Sequence, residues 1–205
     1  MKNIYSLFGF TDSRQRDKLH GMQPSSSRPI PFWRIALWSG ALLALATPWF
    51  LMRYTGQGAW TAFDFVVFGV MVGAVCAGFE LAMRMSNRWT YRLAAFMTVI
   101  GGFLMVWANL AVGIIGNEED PRNLMFYGLL LIGFVGALIT RFEPRGLTWT
   151  LRLMALTQLV IFLVAAALEW TLLPIFTIFY FSLWLIAGEL FNRSTRASSD
   201  SETSV

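Results

Sequence analysis

The chain has 205 residues, of which 56% are hydrophobic and only 14% charged, against about 25% charged in an average soluble domain. A soluble fold of this length could not bury so much apolar surface, so lipid must act as its solvent. The single cysteine, Cys76, and the single histidine, His20, exclude an internal disulfide framework, a Cys-rich or His-based zinc site, and bis-His haem ligation within one chain.

Residues 1–34 read as a flexible, basic cytoplasmic tail. Asp12, Asp17 and the stretch Pro24-Ser25-Ser26-Ser27-Arg28-Pro29 are unlike a secretory signal, which places an apolar run directly behind its first basic residues. The transmembrane domain is expected over 35–190. Crossing about 30 Å of hydrocarbon takes roughly 20 apolar residues in a helix. Six segments approach that length: 35–52, 62–83, 93–116, 124–140, 148–168 and 171–188. They are too long, and too continuously apolar, for barrel strands. The fold class is therefore all-α: a polytopic membrane helical bundle of about six helices. Residues 191–205 read as a disordered cytoplasmic tail.

In the second segment, Asp64 stands where a carboxylate complements a helix N-terminus. Gly69 and Gly73 form a G-x-x-x-G pair, a signal for close helix contact within the chain or between copies. Glu80 and Arg84 are four residues apart and can pair on one face near the membrane boundary. In the third segment, Gly102, Met105, Asn109, Gly113 and Gly116 share one helical face. Asn109 lies about 10 Å below the segment's end. It reads as a polar clasp in a packing seam, with a solute or ion site as the sharper alternative. Glu118, Glu119 and Asp120 then form an acidic turn before Pro121, either solvated or attractive to cations. Gln158, midway along the fifth segment, is costly to leave unpaired in hydrocarbon. Its depth resembles that of Asn109, so the two amides are expected to be able to pair.

Orientation follows from the basic residues. Alternating the compartments places fourteen of the sixteen Lys and Arg on the side of the two tails and the second and fourth loops, leaving only Arg53 and Arg122 opposite. The positive-inside rule makes the basic side cytoplasmic, with both termini there. The acidic residues Asp64, Glu118, Glu119, Asp120 and Glu169 gather at the other face.

The stretch Trp107-Ala108-Asn109-Leu110-Ala111-Val112-Gly113-Ile114-Ile115-Gly116, followed by Glu118, Pro121 and Asn123, resembles a segment of small bacterial inner-membrane proteins of unknown function. Asp120 stands where that pattern has Asn. The likeness extends from the second helix through the fifth. It implies a bacterial cytoplasmic membrane and no particular activity.

No nucleophile–base pair, carboxylate pair or phosphate loop is available at membrane depth, so catalysis is not expected, nor is a cofactor or metal. The leading expectation is a non-catalytic membrane component that packs against itself or a membrane-protein partner in the lipid bilayer, with no nucleic acid. The alternative is a small oligomeric transporter or channel for a cation, proton or small solute. Against transport, no segment carries a charge near its middle.

Overall fold

The computed structural model describes residues 31–56, 60–170 and 174–202, with side chains described as far as residue 195. The expected N-terminal tail, with His20, lies almost wholly outside the described residues. The chain divides into a short N-terminal unit, Met1–Ala36, and a second unit, Leu37–Val205. Of the first, the described part is the beginning of one helix.

Among the described residues six α-helices follow one another: α1 (Phe32–Thr55), α2 (Ala62–Met85), α3 (Trp89–Ala111), α4 (Leu124–Ile139), α5 (Pro144–Ala167) and α6 (Pro174–Glu202). The described residues contain no strand. Each helix is long and apolar enough to cross a membrane, α4 when joined to the short 3-10 turn Pro121–Asn123 that precedes it. Many large apolar side chains are exposed along them, including Leu42, Val70, Phe134 and Ile178, as expected of surfaces that face lipid.

Local chemistry sets the helix ends. Thr61 and Asp64 form a reciprocal capping box at the start of α2: Asp64 N–H donates to Thr61 Oγ1, and the Asp64 carboxylate accepts from Thr61 N–H at 2.7 Å. Two of the helix's orphan donors are thereby satisfied, in addition to the favourable placement of a carboxylate at a helix N-terminus that the sequence suggests. Pro144 opens α5 at a position where a missing N–H costs nothing. At the other end of the chain, α6 continues to Glu202, beyond the 188 boundary and into the segment expected to be a tail. Phe191 and Ser194 are buried there, so tertiary packing carries the helix past its apolar run.

Helix α5 packs most extensively on α6, which also packs on α3; α2 lies against α3, and α4 against α5. Gly188 approaches Leu151 and the Thr148 carbonyl, and Thr148 Oγ1 lies 3.2 Å from the Gly188 carbonyl, so α5 and α6 meet with almost no side chain between them. Trp184, Phe126, Met105, Ile115, Leu129 and Met154 fill the centre. A run of aromatic contacts, Phe126–Phe176, Phe176–Tyr180 and Tyr180–Trp184, ties α4 to α6 with ring centroids 5.7, 4.5 and 5.8 Å apart. Helix α1 differs from the rest: none of its residues is buried.

The glycines divide differently from the expectation. A Cβ on Gly69 would make ordinary contact with Leu45 of α1, and one on Gly73 would meet nothing within 4 Å. The G-x-x-x-G pair is therefore not a tight seam within the chain. Gly102 likewise has only ordinary contact, with Leu130 at 3.7 Å. Gly113 and Gly116 are not helical at all, because α3 ends at Ala111. Close approaches occur instead at Gly101 against Leu183 and Trp184, Gly133 against Met154, Gly136 against Thr150, and Gly146 against Thr140.

Candidate functional site at the turn between α3 and α4

The connection from α3 to α4 is a built turn. Gly113 and Gly116 adopt φ of +76° and +67°, a region that costs glycine little and other residues more. A Cβ on Gly113 would fall 2.2 Å from the Asn117 carbonyl carbon, so the chain doubles back tightly there.

Asn123 is the centre of this turn. It is 4% exposed. Its Oδ1 accepts from the N–H groups of Ile114 and Ile115, at 3.1 and 2.8 Å. Its Nδ2 donates to the carbonyls of Ile115 and Asn117, at 3.1 and 2.6 Å. One amide thus pairs with four backbone groups of the turn, where no helical ladder supplies partners. The reading from sequence noted Asn123 only within the resemblance. Its one local signal is an amide at the border between a polar turn and an apolar helix.

Asn109 joins the same network. Its Nδ2 donates to the Asn123 carbonyl at 3.0 Å, and its Oδ1 is buried without a partner. Asn109 therefore holds the following turn; it neither pairs with Gln158 nor sits in a tight helix seam along the Gly102 face. Gln158 is fully buried, and both of its amide atoms lack a hydrogen-bond partner. Asn109→Leu is accordingly expected to lower stability by about 0.5–2 kcal/mol, the scale of hydrogen bonds between membrane helices. Gln158→Leu should cause no loss, because it removes an unpaired buried amide. Thermal melting in detergent measures both, and the double variant should be additive; a coupled pair would sink this account.

Asp120 caps the 3-10 turn through Arg122. Its carboxylate accepts from Arg122 N–H at 2.9 Å, from Nε at 2.8 and 3.0 Å, and from a terminal guanidinium nitrogen. Hydrogen bonds from Arg122 hold the Asp120 carboxyl down to about 2, from an ordinary 3.8, so it stays ionised through any physiological range. The same guanidinium lies 5.1 Å from the centre of the Trp170 ring, linking this turn to the end of α5 by a cation–π contact. Asp120 is thus spoken for. Glu118 and Glu119 are exposed, and neither carboxylate bonds to a described residue.

A groove of about 470 Å³ opens beside the turn, lined by Asn109, Leu110, Glu118, Glu119, Leu124 and Tyr127 together with Asp120, Pro121 and Asn123. The other expected polar residue, Glu80, is elsewhere. It pairs with Arg84 on α2. Gly78 meets Val99 and Phe68 meets Trp107, a register that puts Glu80 about 18 Å along the bundle from Asn109.

A second groove, about 600 Å³ and almost wholly apolar, runs across α3 between α2 and α4. Its wall includes Ala74, Ala77, Gly78, Ala95, Gly102 and Ala137. Among the described residues no group of three His, Cys, Asp or Glu could hold a metal ion. No protein-family profile matches this chain, and no curated protein or solved structure shows a match to it.

Proposed function

We propose that this chain is a non-catalytic component of a bacterial cytoplasmic membrane, with both termini cytoplasmic, and that it acts by packing helices with a second copy of itself. The observation that carries the reading is the apolar groove between α2 and α4. Its wall is rich in alanine and glycine, and small residues let a further helix approach closely, where van der Waals contact supplies the association energy in lipid.

The favoured occupant is α1 of the second copy. That helix buries no residue in its own chain, and Gly40 has no neighbour within 4 Å of where a Cβ would stand. Gly40 and Ala44 are spaced as a small-x-x-x-small pair on its surface. The basic bias of the sequence supports the orientation, and the resemblance at residues 107–116 supports the bacterial membrane.

Cysteine cross-linking tests the docking. In a Cys76→Ala background, Gly40→Cys in one copy and Ala77→Cys in the other lie at similar depths. Mixed in vesicles, they should give a disulfide-linked dimer, and Gly78→Leu should abolish it. A monomer throughout, or cross-linking unaffected by Gly78→Leu, would rule the groove out. The alternative, an oligomeric transporter or channel for a cation, proton or small solute, draws support from the unpartnered Gln158 amide. On that reading, reconstituted vesicles show a solute flux that Gln158→Leu removes; on the docking reading they show none.

A further inference from the structure

Helices α3, α5 and α6 share a feature that neither groove explains. Among the described residues, the buried side-chain polar atoms without a hydrogen-bond partner are Asn109 Oδ1, both amide atoms of Gln158, Thr177 Oγ1 and Trp184 Nε1. These residues are 2%, 0%, 5% and 0% exposed. Unpaired polar atoms are costly in an apolar interior, and native interiors pair them with protein or with ordered water. The atoms are not scattered through the bundle.

Two helix crossings fix their order. Gly188 of α6 sits against Thr148 and Leu151 of the antiparallel α5, and Glu189 lies 3.9 Å from Arg152. Counted from there, Gln158 is level with Phe181. Thr177 then lies about 6 Å to one side along the axis and Trp184 about 4.5 Å to the other. Thr177, Trp184 and Gly188 share one face of α6, and Leu151 and Gln158 share one face of α5, so the three polar groups occupy facing sides of one seam. On α3, Gly101 meets Leu183 and Trp184, and the Tyr91 and Phe191 rings are 5.0 Å apart. The same count brings Asn109 within about one helical turn of the level of Thr177. From the α3–α4 turn inward, the order is Asn109, Thr177, Gln158, Trp184. Past Trp184 the column stops, because Thr148 Oγ1 is bonded to the Pro144 carbonyl at 2.9 Å and lies 3.2 Å from that of Gly188.

We propose that a file of water molecules threads this column from the α3–α4 turn to Trp184. The groups select the ligand. Asn109 Oδ1 and Gln158 Oε1 only accept, Gln158 Nε2 and Trp184 Nε1 only donate, and Thr177 Oγ1 does either. A partner must therefore donate and accept in turn, as water does. An ammonium only donates, and a fully ionised anion only accepts. None of the four side chains is charged, so nothing offsets the desolvation of an ion at this depth. The spacings select the size. One water with two hydrogen bonds of about 2.8 Å spans about 5.6 Å, close to the steps on either side of Gln158. Asn109 also lines the groove beside the turn, which puts the start of the column under a solvent-facing surface. The column is blind, so it hydrates the bundle centre without conducting a solute, and it does not depend on the docking reading.

Solid-state NMR of the full-length protein in lipid bilayers tests this, with tryptophan, glutamine and leucine nitrogen-labelled and water as the probe. Magnetisation transferred from water should reach Trp184 Nε1–H and the Gln158 amide at short mixing times. The backbone N–H of Leu129 is the dry control and should receive none: the residue is 1% exposed and, by the Gly133–Met154 contact, level with Gln158. Trp184→Phe and Gln158→Leu assign the two signals by their loss. Gln158→Leu should also silence Trp184, which it cuts off from the turn. Thr177→Val keeps the side-chain shape, removes the hydroxyl, and should silence both. Helical circular dichroism checks that each variant folds, and the wild-type spectrum is read whether or not they do. Dry Trp184 and Gln158 signals in the wild type, a Trp184 signal that survives Gln158→Leu, or a Leu129 amide as wet as either would overturn the proposal.

Discussion

Replacing Asn123 with Leu is expected to destabilise the protein by about 3–5 kcal/mol, because it strands several backbone groups at once, each costing about 1–3 kcal/mol when buried without a partner. Ile115 is completely buried and relies on Asn123 for both its N–H and its carbonyl. No water-exposed route exists for that residue to recover its bonds. Asn123→Asp should fall between Leu and the wild type. It keeps the acceptor for the N–H groups of Ile114 and Ile115 but loses the donor to the carbonyls of Ile115 and Asn117. Unfolding in a denaturing detergent, followed by helical circular dichroism, gives the ranking. Wild-type behaviour of Asn123→Leu would show that the turn does not depend on this amide.

Gly136→Ala is the second large effect, at about 1–3 kcal/mol of overpacking. The new methyl carbon would stand 2.5 Å from Thr150 Cγ2, 2.6 Å from Oγ1 and 3.1 Å from Cβ. Thr150 has little freedom to retreat: it is branched at Cβ, buried, and bonded through Oγ1 to the Gly146 carbonyl at 3.1 Å. Gly133→Ala makes the useful comparison. Its methyl would meet Met154 Sδ at 2.6 Å, but a methionine end is flexible and can move, so the cost should be well below that of Gly136→Ala. Gly73→Ala should be neutral in the monomer, where nothing lies within 4 Å. Thr150→Ala in the Gly136→Ala background should recover part of the loss. Strict additivity of the two changes in a double-mutant cycle would show that the helices do not meet there.

These two sites show why glycine spacing misled and residue identity did not. Spacing tells which glycines share a helix face, and Gly69 with Gly73 do. It cannot tell whether that face looks at protein or at lipid, because in a bilayer both surroundings are apolar and the usual amphipathic contrast is lost. Gly136 and Gly133 carry no more sequence signal than Gly128, which faces open space. The same ambiguity moved the end of the third helix. Val112, Gly113, Ile114 and Ile115 continue its apolar run, so composition extends the segment to Gly116, while the structure turns at Ala111 and folds Ile115 back into the core.

Asn109 and Gln158 divide along the same line. Their polarity within apolar helices marked both as groups needing an explanation, and burial agrees at 2% and 0% exposure. That Asn109 finds a partner and Gln158 does not depended on the path of a turn fourteen residues downstream of Asn109, and no local rule gives that path.

The helices and their number were written in composition, because lipid leaves a backbone no hydrogen-bond partner but itself, and the required length follows from the thickness of the hydrocarbon. The placement of Asp64 at the start of α2 and the pairing of Glu80 with Arg84, four positions apart, were equally local. The tertiary structure decided the rest: the α5–α6 contact at Gly188, the absence of buried residues on α1, the four bonds of Asn123, and the two grooves. Those depend on which apolar face meets which, and in a solvent as apolar as the side chains themselves only the fit of surfaces across the assembled bundle makes that choice.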